Sequence, residues 1–264
     1  QKTKELEDSR KKAKDALEEI ERLKKEIAGL KQSAKQQKEY ATAVKELSAT
    51  DWFERGLTLG KDRNHQEALN AFNKAIELNP KDAEAYGNRG VAYSKLGNYQ
   101  QAINDYNKAI LLNPQLAEAY FGRGIAYSEL GNHQQAIKDF TKAIELNPQY
   151  AIAYYNRGTA YNELGNHQQA INDLNKAVEL DSKDAMAYNN RGIAYDKLGD
   201  LQQSINDYNK AIQLNPQDAI AYRNRGNAYA QLKNYQKAIE DYKIAARLGH
   251  KEAQDFLKKK GIGW

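Results

Sequence analysis

From Ala49 onward, apolar residues recur at intervals of three and four, in paired stretches separated by a short polar turn. The pair AEAYGNRGVAYSK at residues 83–95 and YQQAINDYNKAILL at 99–112 is typical. Such spacing gathers the apolar side chains on one stripe of a helix, so each pair predicts two amphipathic helices. Turn signals such as LGNY and LGNH separate the two, and a proline usually follows the second. Proline has no amide hydrogen and disfavours helix in the residue before it, which stops the second helix there.

The unit returns every 34 residues. Pro80, Pro114, Pro148 and Pro216 keep that period, as do Gly56, Gly90, Gly124, Gly158, Gly192 and Gly226. A fixed period of this length dictates the whole fold and outranks any local signal. The frames run 49–82, 83–116, 117–150, 151–184, 185–218 and 219–252. An aromatic holds the fourth place of each (Trp52, Tyr86, Tyr120, Tyr154, Tyr188, Tyr222), and the glycines above hold the eighth. The eleventh place holds Leu59 and then Tyr93, Tyr127, Tyr161, Tyr195 and Tyr229. Further on come Ala68, Ala102, Ala136, Ala170 and Ala238, then Phe72, Tyr106, Phe140, Tyr208 and Tyr242, then Ala75 and its five counterparts. Ser204 and Leu174 depart from these series, and Ser182 and His250 stand where proline is expected. In these residues the chain resembles the tetratricopeptide repeat family over about four-fifths of its length. The resemblance implies an all-α fold, a right-handed α-solenoid of antiparallel helix pairs, here preceded by a long N-terminal helix.

The physics is consistent with that resemblance. One helix pair cannot bury its apolar face alone, so neighbouring pairs stack with local contacts only. Residues 1–48 read as a charged helix with heptad spacing, its two seams passing through Ile20, Ile27 and Ala34 and through Leu23, Leu30 and Gln37. Only two full hydrophobic layers lie there, fewer than a sustained coiled coil uses. Three readings stay open for it: a homo-oligomer through residues 1–48, a solitary helix supported by pairs such as Glu21–Lys25, or a helix folded back on the repeats. Residues 253–264 read as a capping helix and tail, with Phe256 at the aromatic place of an unfinished seventh repeat.

Composition narrows the chemistry. Among 264 residues there is no cysteine, which excludes disulfides, thiol catalysis and cysteine-ligated metals. The net charge of +5 is concentrated at the two ends and leaves the middle nearly neutral, so no basic stripe is available to track nucleic acid. No run approaches the length of a membrane span. The chain opens on Gln1, as a fragment or processed form would. The compartment stays unassigned: the cytoplasm is slightly favoured, with a periplasmic or membrane-anchored location open if an upstream segment was removed.

The stretch GNHQQAI occurs at both 131–137 and 165–171 and offers His133 and His167 as ligands or bases. Tyr99, Leu201 and Tyr235 fill the same place elsewhere, which marks a packing position at the turn. We expect no metal, no cofactor and no catalytic residues, since neither a nucleophile–base pair nor a phosphate-binding loop is present.

Function is expected on the first helices. The resemblance implies that they line a concave groove for a peptide or partner helix, and carries the groove places over to Phe53, Leu57, Asn88, Val91, Phe121, Ile125, Ile152, Tyr155, Asn156, Asn190, Arg223, Asn224 and Asn227. These give an apolar groove in four repeats and a more polar one after Asn189. The amides at the sixth place are expected to bond a ligand's backbone. Three aromatics at roughly 1.5–3 kcal/mol each, against an association cost of about 4–15 kcal/mol, predict micromolar affinity. The family's carboxylate clamp finds only Arg223 and Asn227 and is unsupported. A further series, Arg55, Arg89, Arg123, Arg157, Arg191 and Arg225, faces Asp105, Asp139, Asp173, Asp207 and Asp241 in period, with Ala71 breaking it in repeat one. A half-buried guanidinium needs a partner, so we expect an internal Arg–Asp ladder. The function expected is a non-enzymatic protein-binding scaffold. The alternatives are a regulatory or targeting arm of a larger enzyme and a self-assembling structural protein.

Overall fold

A computed structural model describes residues 21–38 and 47–264. Residues 21–38 (α1) are helical, and every one of them is exposed, Leu23, Ile27 and Leu30 included. The remaining seam residues of the N-terminal segment lie outside the described residues.

Six helix pairs follow: α2 (Ala49–Lys61) with α3 (His65–Leu78), α4 (Ala83–Lys95) with α5 (Tyr99–Leu112), and α6 (Ala117–Glu129) with α7 (His133–Leu146). After them come α8 (Ala151–Glu163) with α9 (His167–Leu180), α10 (Ala185–Lys197) with α11 (Leu201–Leu214), and α12 (Ala219–Gln231) with α13 (Tyr235–Arg247). A final helix, α14 (Lys251–Lys259), covers α13. From α2 onward each helix packs on its neighbours in sequence, and successive first helices also touch, as α4 does α6. The result is a solenoid of helix pairs, as the 34-residue period predicts.

The pairs close because small residues face large ones. An added Cβ at Gly124 would stand 2.7 Å from the Phe140 ring, and one at Gly90 would stand 2.9 Å from Tyr106. Only glycine lets the second helix bring a ring this near. Ala85, Ala92, Ala102 and Ala109 are buried beside it and repeat through the array. Where Ser204 replaces alanine, its hydroxyl donates to the Leu201 carbonyl, 2.9 Å away, and so stays satisfied in the core.

The turn after each first helix needs a left-handed residue. Gly97, Gly131, Gly165 and Gly199 supply it at φ of 76° to 82°, but Arg63 and Lys233 take φ of 60° and 61° in the first and last repeats. His250, standing in a proline place, caps the N-terminus of α14 instead, its Nδ1 accepting from the Ala253 amide at 3.3 Å. The capping helix therefore begins two residues before the expected 253. Ser48 makes a capping box with Asp51 just ahead of α2.

The expected ladder is present. Arg89 grips Asp105 through Nε and Nη2 at 2.7 and 2.6 Å, and its Nη1 donates to Asn73 of the preceding pair at 2.7 Å. Arg123, Arg157, Arg191 and Arg225 repeat the bidentate grip on Asp139, Asp173, Asp207 and Asp241. Each also reaches back one pair, to Asn107, Thr141, Asn175 and Asn209 respectively. Each guanidinium lies 5.3–5.6 Å from the ring of the tyrosine three residues before it. Arg55, opposite Ala71, lies over Trp52. One arginine thus ties three helices together. For Arg123, burial opposes the charge, and the bonds to Asp139 outweigh it, leaving its pKa raised.

Candidate functional site

The first helices present three adjoining clefts over repeats one to three. The first, about 310 Å³, lies between α2 and α4 and is lined by Leu57, Phe72, Asn88 and Val91. A second, about 300 Å³, opens at Gly87 and Leu116, and the third, about 620 Å³, takes in Val91, Phe121, Ile125 and Tyr150. Asn88 and Val91 border all three, so the clefts form one continuous trough.

Two departures from the repeat make this trough. Gly87 and Gly122 stand at groove places held by larger residues elsewhere, and at Gly122 the Tyr106 hydroxyl fills the space that a Cβ would occupy, 2.6 Å from it. In addition, Leu116 and Tyr150 replace the aspartates that cap α4, α10 and α12. They make no capping hydrogen bond, and each lines a cleft instead. Two helix caps have been given up for apolar wall. Phe121 leans on Tyr150 at 4.9 Å and on Phe140 at 5.8 Å. The Tyr150 phenol is raised, first by burial and then by the Glu118 carboxylate.

Of the expected groove residues, Leu57, Asn88, Val91, Phe121 and Ile125 meet in the trough. Phe53 lines none of the three clefts and sits half-buried against Phe72, 5.9 Å away. Ile152 is 51% exposed farther along, and Met186 and Ile220 repeat it at 62% and 54%, so the rim stays apolar where a polar groove was expected. The floor there is polar and bonds to itself. Asn190 donates to the Tyr155 hydroxyl and to Thr159, and buried Asn224 donates to Asn189. Asn227 accepts from Tyr242, and Arg223 donates to Asn224 with Glu252 3.7 Å away. Even Asn88 and Asn156 donate to their own helix, at Glu84 and Ile152. The amide nitrogens of Asn190 and Asn224 are thus engaged within the chain. Polar side chains on adjacent first helices lie within reach of one another, which is why these bonds form.

The histidines keep their turn positions, with His133 Nδ1 3.4 Å from the Ser128 hydroxyl and His167 Nδ1 3.1 Å from Asn162. Among the described residues, no three His, Asp or Glu side chains stand together as a metal would need, and no helix is long and apolar enough to cross a membrane.

Family descriptions agree with this architecture. One for the tetratricopeptide repeat matches residues 83–116, 117–150, 185–218 and 219–251. Two related ones match 64–97 with 158–199, and 140–172. Curated protein sequences gave no match. Among solved structures, YrrB, described as a TPR protein with an unusual peptide-binding site, is 30% identical, with 71% of this chain and 98% of YrrB covered at a TM-score of 0.62. MamA is also 30% identical, with 62% and 96% covered and a TM-score of 0.58. PilF of Pseudomonas aeruginosa, 19% identical, covers 80% of this chain and 97% of its own at 0.70, a likeness of fold alone.

Proposed function

We propose that this chain, which belongs to the tetratricopeptide repeat family, is a non-enzymatic scaffold that holds a peptide or helix of a partner protein in the trough of repeats one to three. One observation carries the reading. Adjoining clefts with apolar walls lie over these repeats, while over repeats four to six only the rim is apolar and the floor is bonded to itself. Apolar wall without internal partners gains by covering, at about 25 cal/mol per Å² removed from water. A floor whose amides are already paired gains little. The peptide-binding site described for YrrB supports the same class of ligand.

A photo-crosslinking amino acid placed at Val91, 46% exposed in the trough, tests this against the same group at Leu111, 73% exposed on α5. The proposal expects discrete adducts from Val91 that are absent from Leu111 and that a charged Ile125→Asp change abolishes. Adducts of equal pattern from both positions would remove the trough from consideration.

A further inference from the structure

The cleft of about 620 Å³ holds a polar atom that its own fold leaves unpaired. Tyr106 is 2% exposed and lines the cleft, with its hydroxyl beside that of Ser94. Beside it the Ser94 Oγ is the one buried side-chain oxygen or nitrogen among the described residues without a hydrogen bond. Burial pushes the phenol up to about 12, and the nearby Ser94 hydroxyl pulls the other way. The same phenol in repeat six, Tyr242, is satisfied by Asn227 at 2.8 Å, but in repeat two the corresponding place is Val91. Two hydroxyls, each able to accept and to donate, thus stand side by side on the wall of this cleft.

Around them the charge is acidic. Glu118 and Glu129 line this cleft with Lys95, and Glu84 lines one adjoining cleft, while Lys61 and Lys95 line the other, farther from Glu129 along the trough. Phe121 and Tyr150 present aromatic walls between, and ring faces attract cations. Resting on the trough reading above, we infer that the segment bound there carries a lysine or arginine. Its aliphatic stem lies along Phe121 and Tyr150, and its charged head sits at the Glu118 and Glu129 carboxylates with donors to the Tyr106 and Ser94 hydroxyls. Long cationic side chains suit this because stem and head want different surroundings. An acidic anchor would meet carboxylates of its own sign.

The test uses the full chain and pools of nine-residue peptides, random except for a central lysine, arginine, leucine or glutamate. Retention is read by mass spectrometry at low and high salt. The inference expects lysine and arginine pools to exceed leucine and glutamate pools by about fivefold at low salt and less at high salt. Glu118→Gln with Glu129→Gln erases the preference. Tyr106→Phe weakens it with the fold intact, since phenylalanine already fills that place as Phe72 and Phe140. Equal retention of all pools that Val91→Asp still abolishes would overturn the cationic anchor and leave the trough standing. A preference for glutamate would overturn it as well. Retention that Val91→Asp does not touch would overturn both.

Discussion

At the scale of single residues, most unusual side chains are explained by the turn or pair they serve. Lys233 holds a left-handed conformation that its counterparts give to glycine. A side chain there costs about 1 kcal/mol, partly offset by the freedom that glycine adds to the unfolded chain. Lys233→Gly is therefore expected to raise unfolding stability by about 0.5–1 kcal/mol in urea titrations. Tyr106 gives a pH dependence. Its phenol is raised by burial to about 12, above the value near 10 of an unfolded chain. A raised group contributes stability that is complete below pH ~10 and is lost as the pH climbs toward 12. Wild type should lose on the order of 2 kcal/mol more than Tyr106→Phe across that window, read from urea midpoints.

At the scale of elements, the arginine clamp and the missing caps make opposite trades. Asp139 is almost fully buried beside Arg123, so Asp139→Ala leaves a guanidinium half-buried and unpaired. The expected cost is about 3 kcal/mol, with most of it recovered when Arg123→Leu is added, as a double-mutant cycle would show. At α8, Tyr150→Asp restores a cap worth about 1 kcal/mol and gives up a ring burial of similar size. Stability should move by less than about 1 kcal/mol, while peptide retention falls. The ladder was legible in the sequence because arginine and aspartate each kept the period. Its third bond, from Arg89 to Asn73, was not, because it crosses between repeats. The trough was half legible. Leu57, Val91, Phe121 and Ile125 stood at inherited places, but Leu116 and Tyr150 lay at a cap position, where polar residues are the rule. Gly122 did break the asparagine series at the sixth place, a signal that only packing against Tyr106 makes readable.

At the scale of the whole molecule, contacts run only between near neighbours, so the first-helix surface can change character along the array without a boundary between domains. Repeats one to three leave their inner surface open, and repeats four to six knit theirs together through Asn190 and Asn224. The period dictated the solenoid, but it was blind to this division, because every frame looks alike until side chains on adjacent first helices are brought together. Hydrogen–deuterium exchange of the full chain, alone and with a peptide pool that it retains, tests the division most directly. The account predicts added protection in α2, α4 and α6, with α10 and α12 unchanged. Protection confined to α10 and α12, or spread evenly along all six first helices, would contradict it.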